Sequence, residues 1–250
     1  MPKKTRRLSS LSKIFDQTEK VFGVYVFGTS GVNSEKFDHA VNVLREYLDN
    51  DGNGRADSRK LVRSMKRQKA AMTIFKDEDE LDIFQDKYED RVEKIGANLQ
   101  DLYDDEIITA RDKSREFDAS IEEVFHLISD YGYSKIYPDE FGLNKDSLIG
   151  ELMNKSRGGY FKKVPKRYPK GAYYTYYDNS CDYECQVNEY FYWGITSVLG
   201  GQQARGRFKQ IKDEWRLNTP KKVAQSDPEL FDLLTDERFG LPSILPDGIV

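Results

Sequence analysis

Apolar and polar positions follow two different rhythms along this chain, with the change near residue 116. Val21 to Phe27 (VFGVYVF) is a β-branched and aromatic run closed by Gly28-Thr29-Ser30-Gly31, which predicts a buried strand and its turn. Asn33 or Ser34 then caps a helix in which Phe37, Ala40, Val41, Leu44 and Leu48 recur at helical spacing. Leu61, Val62 and Met65 open a short second helix, and Ala70 to Phe75 (AAMTIF) reads as another buried strand. An acidic helix over 77–88 and a weaker strand or loop over 92–108 complete an α/β half with a small sheet, 20–115. From Asp118 the pattern turns helical, with helices expected near 118–131, 146–156, 182–199, 206–214 and 227–235, a mainly helical half over 116–250. The expected class is α+β. Residues 20–250 read as one globular domain, preceded by a flexible basic arm over 1–19 that begins MPKKTRR.

Gly158 to Asn179 breaks the helical rhythm with Tyr, Lys, Pro and Gly, and long loops of this kind often line or cover a site. Residues 241–248, with two prolines, read as an extended tail laid against the body.

Composition narrows the class of protein. Of 250 residues 38% are hydrophobic and 33% charged, yet 16 Tyr and 14 Phe supply the bulky apolar surface that a disordered chain lacks. The net charge of -4 argues against general nucleic-acid binding. No run is long and apolar enough to span a bilayer, and the basic start leads into Leu8-Ser9-Ser10-Leu11-Ser12-Lys13 instead of a signal-peptide core, so neither a membrane span nor a secretory signal is expected. The sequence gives no oligomeric state or compartment. Cys181 and Cys185, four apart, suit either two free thiols or a local disulfide, and cannot by themselves complete a zinc cage.

The most specific chemical pattern is Asp49-Asn50-Asp51-Gly52-Asn53-Gly54-Arg55-Ala56-Asp57. Oxygen ligands stand at loop positions 1, 3, 5 and 9, glycine at position 6, and the Arg55 carbonyl at position 7, the layout of an EF-hand-type calcium loop. Position 12 departs from it, because Lys60 stands where a bidentate glutamate is usual. That loss favours a structural Ca2+ over a sensor. A glycine-rich acidic turn between two helices explains the same residues without an ion.

A second constellation lies on the helix near 118–131. Ile121, Val124, Phe125 and Ile128 form its buried stripe, which puts Glu122 and His126 together on one flank, one turn apart, with Glu123 just beyond. Ser120-Ile121-Glu122-Glu123 also matches a capping box, and His126 also suits a hydrogen-bonded boundary position. The only other histidine, His39, falls opposite the apolar face of its helix, towards solvent or a neighbouring element.

Glu122-Glu123-Val124-Phe125-His126 resembles the His-Glu-x-x-His helix of the zincin metallopeptidases, with Glu122 in place of the first histidine. The resemblance implies a zincin-like fold and a peptide or protein substrate. Glu122 and His126 would be ligands of Zn2+ or another divalent transition metal, and Glu123 the catalytic base. Asn188-Glu189 resembles the later glutamate of the gluzincin branch, which would make Glu189 the third ligand. Tyr177, from the group Tyr173, Tyr174, Tyr176 and Tyr177, would support an oxyanion. A set of two glutamates and one histidine is harder and more anionic than the zincin set, so manganese or iron competes with zinc. The departure at Glu122 leaves room for a pseudoenzyme. The rival reading is a non-catalytic, calcium-stabilised binding protein whose contact surface is the Tyr/Lys-rich segment 160–177.

Overall fold

The computed structural model describes residues 7–112 and 116–249, so the start of the basic arm lies outside the described residues. The described residues divide into two compact units, 7–131 with 246–249, and 132–245. Periodicity shows which face of each element is apolar but not which faces pair, and the grouping of faces sets the number of cores.

The first unit holds a four-stranded mixed sheet in the order β1-β2-β3-β4. Strands β1 (Gln17–Val21) and β2 (Val24–Gly28) pair antiparallel, while β2, β3 (Ala70–Phe75) and β4 (Asn98–Tyr103) run parallel. The run from Val21 to Phe27 is therefore a hairpin and not one strand. Phe22 (φ 49°) and Gly23 (φ 99°) both take positive φ in the two-residue turn, a conformation in which a bulky first residue is rare. Every residue of β3 is buried, as suits a central parallel strand covered on both faces.

Helices α1 (Ser34–Leu48) and α2 (Arg59–Arg67) connect β2 to β3, α3 (Glu78–Ile95) connects β3 to β4, and α4 (Ala119–Ile128) packs on β3 and β4. Asn33 caps α1 by accepting from the Glu35 and Lys36 amides. The acidic helix α3 runs seven residues beyond its expected end and stops at Gly96, in the left-handed region. One core cluster joins Leu11, Phe15, Phe27, Ala71, Phe75, Phe84 and Ile95. Leu11 and Phe15 belong to the stretch expected to be a flexible arm. Instead Leu8–Lys13 forms a 3-10 helix and β1 begins at Gln17, because burial of those two side chains fastens the segment to the sheet. Residues 246–249 lie along α1, with Glu46 Oε2 accepting from the Asp247 and Gly248 amides at 2.7 and 3.1 Å.

The second unit is helical: α5 (Ser134–Ile136), α6 (Pro138–Phe141), α7 (Leu148–Ser156), α8 (Tyr183–Val198), α9 (Arg207–Ile211), α10 (Pro220–Ser226) and α11 (Pro228–Thr235). Helix α8 is its centre, packed by α7, α10 and α11 and buried along most of its length. Asp227 caps α11 and also accepts hydroxyl bonds from Tyr173 and Tyr190 at 2.9 and 2.6 Å. The two cysteines are joined as a local disulfide, Cys181 just before α8 and Cys185 in its first turn. Together the two units give the expected α+β class. Among the described residues no helix is long and apolar enough to cross a membrane.

Candidate functional site

The acidic loop sits between α1 and α2, a helix-loop-helix in which Ser58 caps the outgoing helix by accepting from the Leu61 amide. Asp49 closes the loop on itself, accepting from the Asn53 amide at 3.0 Å and the Gly54 amide at 2.8 Å. Gly52 (φ 66°) and Gly54 (φ 81°) supply the left-handed turns this curl requires. Asp57 Oδ2 accepts from the Asn50 amide at 2.7 Å, which returns the ninth loop position to the mouth of the first. As a result Asp49, Asp51 and Asp57 each offer a carboxylate oxygen within 4.8 Å of the others, a group that could hold a metal ion. Partial burial raises the Asp57 pKa, the Asn50 amide opposes the rise, and the charges of Asp51 and Asp49 add to it.

Asn53 turns its amide nitrogen towards Asp51 Oδ2, at 2.6 Å, and a half-turn of that amide presents its oxygen instead. Lys60 lies exposed within α2 and adds no oxygen. Three carboxylates, one amide oxygen and the Arg55 carbonyl fall short of seven ligands, so water would complete a calcium shell.

Helix α4 carries the second candidate. Asp118 is its N-cap: Oδ1 accepts from the Ser120 and Ile108 amides, both at 3.1 Å, and Oδ2 from the Ser120 hydroxyl at 2.6 Å. His39 Nε2 lies 2.7 Å from the same Oδ2. His39 is thus buried (6% exposed) and engaged, because α4 covers the side of α1 that the pattern left facing outward.

With Asp118 as cap, Glu123 has no capping-box role. Its Oε2 instead accepts from Gln100 Nε2 at 2.7 Å and lies 3.7 Å from His126 Nδ1. Glu122 and His126 each present a ligand atom within 4.8 Å of the other, as their spacing on one turn requires. His126 is buried, the two glutamates half-buried. Tyr47 donates its hydroxyl to the Ile121 carbonyl at 3.0 Å, and burial pushes its phenol far up, with the charges of Asp118 and Glu122 adding to the effect. Nearby, burial raises both Asp101 and Glu106, and the Glu123 charge raises both further. The flank of α4 that faces β4 is therefore a region of crowded negative charge.

Glu189 belongs to α8 in the second unit. Tyr176 donates its hydroxyl to Glu189 Oε1 at 3.2 Å, and Glu214 is close enough that the Glu189 charge, after burial, raises its pKa. Tyr177, the expected supporting tyrosine, is 54% exposed and packs edge-on against Tyr168. Residues 173–175 run extended against 214–216, with Thr175 N bonded to the Glu214 carbonyl, so successive side chains alternate in direction. That alternation gives the position beside Glu189 to Tyr176. The disulfide removes Cys181 and Cys185 from any set of soft ligands.

No protein-family profile, curated protein or solved structure matches the chain.

Proposed function

We propose that this chain is a metal-dependent hydrolase of the peptidase type. Glu122 and His126 bind a divalent transition metal, Glu123 serves as base, and a structural Ca2+ occupies the loop formed by Asp49, Asp51, Asn53, Arg55 and Asp57. The observation that carries the reading is the Glu122–His126 pair, with ligand atoms within 4.8 Å, beside a Glu123 carboxylate already fixed by Gln100. A carboxylate held by a neutral amide keeps its orientation, which is what a proton acceptor needs. Resemblance to the zincins is what assigns Glu122 and His126 to the metal. A bound metal would supply Lewis acidity at a carbonyl and lower the pKa of water. A donor pair of one carboxylate and one imidazole suits manganese or iron at least as well as zinc.

The test is peptide hydrolysis by metal-loaded protein. Glu123→Gln should lower the rate by about 10²–10⁴-fold, the usual contribution of a general base, with metal content unchanged. Equal rates for the variant and the parent would remove Glu123 from the chemistry.

A second reading, a calcium-stabilised binding protein, is favoured by one observation. Tyr160 (52% exposed) and Tyr177 stand at the surface of the segment that also carries exposed Lys162, Lys163 and Lys166. Saturable binding of an acidic ligand, abolished by Tyr160→Ala with hydrolysis absent throughout, would select it.

A further inference from the structure

The outer side of α2 carries a feature that neither metal reading uses. An open cavity of about 360 Å³ is lined by Phe22, Arg55, Ala56, Arg59, Val62, Arg63 and Lys66. Arg59, Arg63 and Lys66 follow one another at i, i+4 and i+7, so they share one helix face, and Arg55 reaches the same cavity from the acidic loop. No carboxylate lines it. All four cations are exposed, and none makes an ion pair or a side-chain hydrogen bond among the described residues. In a chain with more acidic than basic side chains, four cations around one hollow with no acidic partner is an unusual concentration.

The turn beneath them is strained in a way that serves this hollow. Phe22 occupies the first position of the β1–β2 turn at φ 49°, a conformation that costs a side chain with a Cβ about 1–2 kcal/mol and that asparagine or glycine adopts more readily. The second turn residue is Gly23, where a Cβ would lie 3.0 Å from Cδ, Cε and Nζ of Lys66. The lysine stem therefore crosses a bare backbone, and the Phe22 ring and Val62 give the cavity an apolar wall.

We propose that this cavity binds a soluble polyphosphate ester. Arg55, Arg59, Arg63 and Lys66 take the phosphates, and Phe22 with Val62 takes the planar or apolar group attached to them. Guanidinium groups meet phosphate oxygens in paired hydrogen bonds, and an ammonium adds a compact charge. The volume lies in the range of small-molecule sites. A nucleic acid is disfavoured by the concave shape and by the acidic balance of the chain.

Calorimetric titration of the full chain at clamped free calcium tests the proposal, with tripolyphosphate, ATP, single-stranded DNA and phosphatidylserine vesicles as probes. ATP should bind saturably, more tightly than tripolyphosphate, and less tightly as salt rises. Arg59→Ala with Arg63→Ala should weaken both by roughly tenfold or more, whereas Lys135→Ala should change neither. Phe22→Asn relieves the turn, so the protein should melt no lower, yet the advantage of ATP over tripolyphosphate should shrink. Equal affinities for the parent and the double variant, or binding only to DNA or to vesicles, would overturn the proposal.

Discussion

Gln100 on β4 donates its side-chain amide to Glu123 on α4 at 2.7 Å, while the Gln100 carbonyl accepts from the Thr73 hydroxyl at 3.2 Å. One residue thus ties the base candidate to the two strands on which its helix packs. Gln100→Ala should leave the fold intact, since it removes a single half-buried bond worth about 1 kcal/mol. Hydrolysis should nevertheless fall, through a base that is no longer aimed. Loss of stability without any change in rate would make Gln100 a packing residue only.

Calcium should stabilise the first unit. An ion at a hundred times its Kd adds about 2.7 kcal/mol, or roughly 5 to 10 °C in Tm for a chain of this size. Asp51→Ala should abolish that shift, because it removes a ligand without touching either helix. An identical calcium-dependent rise in the variant would place the ion elsewhere.

Calcium affinity should also fall as the medium becomes acidic. In the free loop, burial and the charges of Asp51 and Asp49 hold the Asp57 pKa above its usual value, so protons compete with the ion at a higher pH than for an ordinary aspartate. Titrations across the carboxylate range should show proton release on binding, and Asp57→Asn should reduce it. A pH-independent affinity would contradict a carboxylate shell.

Stability of the β4 region should carry the opposite signature to that of a salt-bridged acid. Asp101 is raised by burial first and by Glu123 second, so the folded state holds its proton more tightly than the unfolded chain does. The benefit is fully present below the unfolded pKa and is lost as pH rises through the folded one. Asp101→Asn should therefore raise Tm at neutral pH and make little difference in acid. A lower Tm at neutral pH would mean that the charged form of Asp101 is being used, as it would be by a bound cation.

Buried Arg157 should be the main fastening of residues 158–179. Its guanidinium donates to Gln186 Oε1 at 2.5 Å, to Asn154 Oδ1 at 2.9 Å and to the Phe161 carbonyl at 3.0 Å, and it lies over the rings of Phe161 and Tyr183. Arg157→Ala strands those acceptors and should cost on the order of 3 kcal/mol in urea unfolding, and Lys should not rescue it, since it lacks the planar fork. A change under about 1 kcal/mol would mean the segment is held by other contacts.

Local structure was legible in the sequence and long-range pairing was not. The loop from Asp49 to Asp57 and the helices around it could be read because ligand spacing, glycine positions and helical period all lie within one short window. Strand β3 was legible for a similar reason, being apolar throughout. The hairpin at Phe22-Gly23 was hidden because its first turn residue is one that turn preferences disfavour, so the run reads as unbroken strand. Leu11 and Phe15 read as part of an arm because nothing nearby announces the sheet that buries them. His39 could be placed on a helix face, but its partner Asp118 lies 79 positions away, and no local pattern carries that distance. Tyr176 and Tyr177 differ only in the phase of an extended segment, which a tyrosine-rich run conceals.

Metal analysis of protein produced with zinc, manganese and iron all available bears most directly on the proposed centre. About one equivalent of a single transition metal is expected in the parent, lost in His126→Ala and in Glu122→Ala, with calcium retained in both variants. Absence of any transition metal from the parent, or equal content in all three proteins, would contradict a metal centre built on Glu122 and His126.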